Sequence, residues 1–495
     1  VPVAGSGARL TAMRESLRHV LSAPACLMAF ALGAVAQAPR DTKMVEYKKR
    51  VEHHYVEAAQ NYVDIAWWSR KVGLVPQATT LFLRAKEAGQ GRHQMADNLV
   101  SWMDQLGDGF WRVRPKRPPH QLVAECARRV RIADKEVRKS HLLIAQLAIG
   151  VGAEPDARTH CQEAIRLGAE IQVNKEGSYR LDGLVLPEAL AKWLQDRTVA
   201  TASGARVFES AAAAGGPRLE GFHEHRDERL VVRTDLGADK AKALHALGSA
   251  LLPHLEDRLD GAPTRPLILL VFAQRAAYAA YLKSLGIDSA GSGMAEYGSF
   301  QTIVSAEGRA DPELHAIVLH ELSHLFFWGT APAVMPDWYA EGFAESFGGQ
   351  GTFTFDGKEL AIGAPMDRHR LDALVKAPLP LAELLAGDVE ELLQKDPDKA
   401  LRFYAEAWAF QRFLRAADCP WREDFARWEA RCRGTVLGTT FGRGAAADAS
   451  GKPAPTPPGA QRYGDRKPAQ ALFQDAFGKK LEAMDKAFQA FVQAL

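Results

Sequence analysis

The run IVLHELSHLFF, Ile317 to Phe327, constrains the fold more than any other stretch of the chain. A segment this apolar belongs in a core, yet it carries His320, Glu321 and His324. Burying even an uncharged polar group without a partner costs roughly 2–7 kcal/mol, so the triplet needs a compensation that a plain core helix does not supply. On an α-helix, residues four apart project from one face one turn apart, which brings the two imidazoles close enough to grip a single metal ion. Glu321 then stands beside a water on that ion rather than on the ion itself.

A catalytic ion of this kind needs three protein ligands and an open position, so a third ligand is expected on a later element. The segment PDWYAEGFAES provides it: Glu341 lies 17 positions after His324, and Glu345 stands one helical turn beyond Glu341. The first carboxylate is the predicted third ligand. The second is predicted to accept a hydrogen bond from a ligand imidazole, fixing the ring and raising its basicity. The spacing of His320, Glu321 and His324 is the HExxH arrangement of zinc peptidases, which makes Glu321 the general base and one Zn2+ per chain the expected cofactor. His315 and His369 lack ligand spacing and read as surface or structural residues.

These residues resemble the gluzincin metallopeptidases, most closely the bacterial peptidase MA-like proteins with a P-x-W-x-x-E-G-x-A-E segment. Here that segment is Pro336, Trp338, Glu341, Gly342, Ala344 and Glu345. The resemblance spans Arg229 to Leu495. It implies zinc held by His320, His324 and Glu341, with Glu321 as base. It also implies a peptide or protein substrate extended along an edge strand of Ser299, Phe300, Gln301, Thr302 and Ile303. Similar proteins place a Tyr ahead of a Trp on a late helix, which points to Tyr404 as the donor to the oxyanion; a core tyrosine is the alternative. The 16 residues between His324 and Glu341 are slightly fewer than in the best-known members, which calls for a tighter connecting loop with the same ligand set. GMAEYG, Gly293 to Gly298, differs in order and spacing from the motif by which zinc aminopeptidases hold a substrate amino terminus, so exopeptidase specificity is not implied.

A chain of 495 residues, 47% hydrophobic and 25% charged, is globular and long enough for two or three domains. The predicted fold class is α+β, predominantly helical. Residues 44–200 read as helical and hold a weak repeat: AWWSRKVGLVPQATTLFLRA and AQLAIGVGAEPDARTHCQEA align without gaps at an offset of 79, Gly73 with Gly152. Small residues let antiparallel helices approach, and each Gly can take the turn between them. The spacing resembles the tetratricopeptide helical hairpin, covering these two hairpins only. Residues 201–225, rich in Gly, Ala and Ser, read as a linker. Strands and helices then alternate over 226–360, and 361–495 is helical again, broken by a Pro/Gly/Ala-rich loop at 442–465.

Lys plus Arg number 62 against 60 Asp plus Glu, so bulk charge points to neither nucleic acid nor an anionic membrane as partner. Near the start, Arg14 and Arg18 precede an apolar stretch that ends in Ala36-Gln37-Ala38, the order of a secretory signal peptide over 1–38. An uncleaved anchor or a buried helix is the alternative. The expectation is export to a periplasmic, cell-surface or secreted location, with no membrane association unless that segment is retained. Cys126, Cys161, Cys419 and Cys432 follow the signal. Proximity favours the pairs Cys126 with Cys161 and Cys419 with Cys432, and free buried thiols are the alternative. The expected protein is thus an exported zinc metallopeptidase. The competing reading is a catalytically restrained zinc-binding protein that docks a protein partner through its helical N-terminal half.

Overall fold

The computed structural model describes residues 40–99, 120–174, 177–202, 206–208, 219–259, 261–263, 265–287, 291–296, 300–330, 334–434 and 466–495. The expected signal segment, most of the linker, Ser299 and the 442–465 loop lie outside these residues.

The N-terminal region opens with two helical hairpins, α1 (Arg40–Lys71) with α2 (Val75–Gly89) and α3 (His120–Gly150) with α4 (Glu154–Arg166). Gly73 (φ +90) and Gly152 (φ +79) take the left-handed turn at the same place in each hairpin, as the aligned repeat requires. Two apolar clusters fill the region, one around Tyr62, Leu81 and Phe82, the other around Leu142, Ala148 and Leu190.

Helix is not the whole of 44–200. After α4 comes a three-stranded antiparallel sheet, β1 (Ile171–Val173), β2 (Tyr179–Leu181) and β3 (Leu184–Val185). Helix α5 (Glu188–Gln195) and a ribbon of β4 (Thr198–Ala200) with β5 (Arg206–Phe208) follow. Asp182 (φ +47) and Gly183 (φ +80) make the two-residue turn between β2 and β3; Asp-Gly is a strong hairpin signal that the helical reading passed over.

The second region is built on a five-stranded sheet in the order β6-β7-β8-β10-β9. Its strands are β6 (His223–Arg226), β7 (Leu230–Thr234), β8 (Leu267–Phe272), β9 (Gly293–Glu296) and β10 (Gln301–Ser305). Strands β7, β8 and β10 run parallel, and β6 and β9 flank them antiparallel. The apolar run of β8 is continuous because both faces are covered: Leu269 and Val271 join the main core, Leu270 and Phe272 the cluster under α7 (Arg275–Ser284). On the main-core side lie α6 (Ala238–Leu259) and α8 (Asp311–Thr330).

Helix α9 (Asp337–Gly348) crosses α8 and is followed by the ribbon β11 (Phe353–Phe355) and β12 (Leu360–Ile362). Then come α10 (Arg368–Lys376), α11 (Leu381–Ala386), α12 (Val389–Lys395), α13 (Pro397–Arg415), α14 (Arg422–Gly434), α15 (Lys467–Phe477) and α16 (Leu481–Gln493). The molecule is a predominantly helical α+β protein with a small mixed sheet. The two regions touch where the Thr80 hydroxyl on α2 donates to the Thr330 carbonyl at the end of α8, 3.4 Å away.

The four described cysteines, Cys126, Cys161, Cys419 and Cys432, are free and buried, the alternative to the two disulfide pairs. At 1.5 Å per residue, the antiparallel α3–α4 hairpin sets Cys126 about 25 Å along α3 from the level of Cys161. The body of α14 likewise separates Cys432, in its last turn, from Cys419, which precedes it.

Candidate metal centre

Helix α8 is apolar almost all round because the sheet, α6 and α9 enclose it; Leu314, Val318, Leu322, Leu325 and Phe326 are all buried. The face carrying His320 and His324 turns toward carboxylates supplied by α9. Trp338 anchors α9: it is fully buried, stacks on Trp428 at 5.6 Å and meets Phe473 edge-on at 5.0 Å. A Cβ on Gly342 would stand 2.3 Å from the Ala407 carbonyl of α13, so only glycine lets α9 lie this close to α13. That packing sets Glu341 over the histidine pair and brings Tyr404 of α13 to the same place.

The donor atoms form a nearly equilateral triangle. His320 Nε2 and His324 Nε2 are 3.0 Å apart, and Glu341 Oε2 is 3.2 Å from each. The three side chains are 13%, 11% and 12% exposed, enclosed enough to strengthen electrostatics and open enough to admit a ligand. These three residues could hold a metal ion, and a second group, His54, His141 and His160, offers the same in the N-terminal region.

Behind the triangle, Glu345 Oε1 lies 3.4 Å from His320 Nδ1, as the one-turn spacing from Glu341 suggested. Its other oxygen accepts a hydrogen bond from Arg370 Nη1 of α10 at 3.0 Å. Sequence reading missed Arg370; an arginine on a helix 25 positions away carries no local signal. Burial opposes charge on His320, but Glu341 and Glu345 outweigh it and raise the ring's pKa well above the ordinary value. A bound dication would take the place of that proton. Burial also opposes charge on Glu341, yet His324 and His320 hold its pKa far below the usual carboxylate range.

Glu321, next to His320 on α8, lies against β9 of the sheet. Burial raises its pKa, against the opposing pull of His320 and His324, and the Ala295 N–H of β9 donates to its carboxylate. A Cβ on Gly293 would stand 2.8 Å from Glu321 Oε1, so the glycine marks where β9 passes over the carboxylate. The expectation of an edge strand along Ser299 to Ile303 is therefore corrected. Gln301, Thr302 and Ile303 belong to β10, which is paired on both sides, by β8 and β9, and Phe300 precedes it in a left-handed conformation (φ +58). Among the described residues the outermost strand of the sheet beside Glu321 is β9, Gly293 to Glu296.

The Tyr404 ring meets His320 edge-on at 5.9 Å. Burial and then Glu341, Glu321 and Glu345 raise its pKa well above the ordinary value, so the hydroxyl stays protonated and can donate. His315 packs edge-on against Phe355 at 5.8 Å, away from the triangle's donors. Among the described residues no helix is long and apolar enough to cross a membrane. Comparison of the chain with protein-family models and with curated protein sequences finds no match.

Proposed function

We propose that the protein is an exported zinc metallopeptidase of the gluzincin type, with His320, His324 and Glu341 as ligands and Glu321 as general base. The observation that carries the reading is the donor triangle with sides of 3.0, 3.2 and 3.2 Å. Bonds of 2.0–2.1 Å to a tetrahedral zinc place ligand atoms about 3.3 Å apart, so the triangle is close to one face of that tetrahedron. Two imidazoles and one carboxylate also leave the fourth position that catalysis needs.

When bound, zinc brings the pKa of a water toward about 7 and polarises the scissile carbonyl as a Lewis acid. Glu321 takes the proton as the water attacks and then passes it to the leaving amine; its raised pKa suits both duties. The Tyr404 hydroxyl donates to the oxyanion as charge develops there. An extended peptide adds along the outermost strand β9, which passes over Glu321.

The test is an unbiased peptide pool incubated with the zinc-loaded chain and with Glu321→Gln, new termini being read by mass spectrometry. The expected result is cleavage by the unsubstituted protein and a loss of about 10²–10⁴-fold in the variant at unchanged zinc content. Equal cleavage by both would remove Glu321 from its role. No cleavage with zinc bound would favour the restrained, partner-docking reading.

A further inference from the structure

The region that the peptidase reading leaves unused holds three buried histidines. His54 of α1, His141 of α3 and His160 of α4 are 2%, 6% and 3% exposed, and one ring nitrogen from each lies within 4.8 Å of the others. Their ring centroids are 4.3, 5.1 and 5.8 Å apart. His54 Nδ1 is 2.7 Å from Ser140 Oγ, while its Nε2 is buried with no hydrogen-bond partner among the described residues. His141 Nδ1 and His160 Nδ1 face each other at 2.8 Å. A buried polar atom without a partner is destabilising, a cost that Leu or Phe at position 54 would avoid.

We propose that His54, His141 and His160 form a second metal centre, a structural one, that takes a divalent ion preferring imidazole ligands and clamps the two N-terminal hairpins together. The ion gives His54 Nε2 its missing partner, and Ser140 accepts from Nδ1–H and orients the ring. His141 and His160 part from 2.8 Å to about 3.3 Å, the ligand spacing at a tetrahedral ion, and the proton between them moves to the other nitrogen of its ring. Asp156, one turn before His160 on α4 and held by the Tyr47 hydroxyl at 2.9 Å, supplies negative charge beside the site. An all-nitrogen donor set selects zinc, copper, nickel or cobalt over calcium and magnesium.

The test uses the full chain, stripped with chelator, dialysed against Zn2+ and assayed for bound metal. His54→Leu is expected to lose about one equivalent relative to the parent, and His320→Ala/His324→Ala to retain about one. Circular dichroism checks folding, and either variant, once shown folded, decides alone. A folded His54→Leu chain with the parent's zinc content overturns the proposal, as does a folded His320→Ala/His324→Ala chain that holds none. If the retained ion is bound, its X-ray absorption spectrum must show three imidazoles at about 2.0 Å; fewer means adventitious binding and overturns it as well. The centre does not depend on the peptidase reading, and these outcomes leave that reading where it stands.

Discussion

Replacing Glu345 by Gln tests how the first centre is held. The carboxylate serves two donors at once, the His320 Nδ1–H at 3.4 Å and Arg370 Nη1 at 3.0 Å. A glutamine has the same shape but one oxygen, so whichever donor keeps the oxygen, the other meets an NH2 group. The site is enclosed, Glu345 being 6% exposed, and water does not readily relieve the conflict. An unsatisfied buried donor costs about 1–3 kcal/mol, and the carboxylate's contribution to imidazole basicity is lost as well. The expected result is zinc affinity weaker by about 10–100-fold, that is about 1.4–2.7 kcal/mol. Competition with a chromophoric chelator measures it at constant pH, beside Arg370→Leu, which leaves the carboxylate facing His320 and should cost less. An affinity for Glu345→Gln within twofold of the parent, in a folded chain, would refute the argument that Glu345 acts through His320.

Three further outcomes are expected. Tyr404→Phe should lower kcat about 10²–10³-fold with KM and zinc content little changed, read by steady-state kinetics on a cleaved peptide; a core role alone would move the melting temperature instead. Gly342→Ala puts a methyl 2.3 Å from the Ala407 carbonyl, so α9 must move off α13 at a cost of about 1–3 kcal/mol, visible as a lower thermal midpoint. Glu406 is fully buried, with Oε2 unpartnered among the described residues, and burial pushes its carboxyl up to about 8 from 4.5. The folded chain therefore keeps a proton that the unfolded chain releases, and the stability from this group is complete below pH 4.5 and lost as pH rises through 8. From pH 4.5 to 7 the loss is about 3 kcal/mol, and Glu406→Gln should abolish that slope in denaturant midpoints taken at several pH values.

What could be read from the sequence was what depends on short separations along the chain. Four-residue spacing on a helix put His320 beside His324 and Glu345 one turn beyond Glu341, and helical geometry guarantees both wherever the helices lie. The two hairpin turns were legible for a similar reason, since Gly73 and Gly152 occupy a backbone conformation that few other residues tolerate. The reading faltered at strand order. An apolar run at β10 suits an interior strand and an edge strand alike, and only the chain's return through β9 made β9 the edge. Tertiary packing alone decided the rest: the crossing of α9 over α8 that closes the Glu341 triangle, Arg370 behind Glu345, and the meeting of His54, His141 and His160 from three helices. Each of these is a contact between distant segments, set by which apolar faces bury against one another, and no residue spacing encodes where such faces will meet.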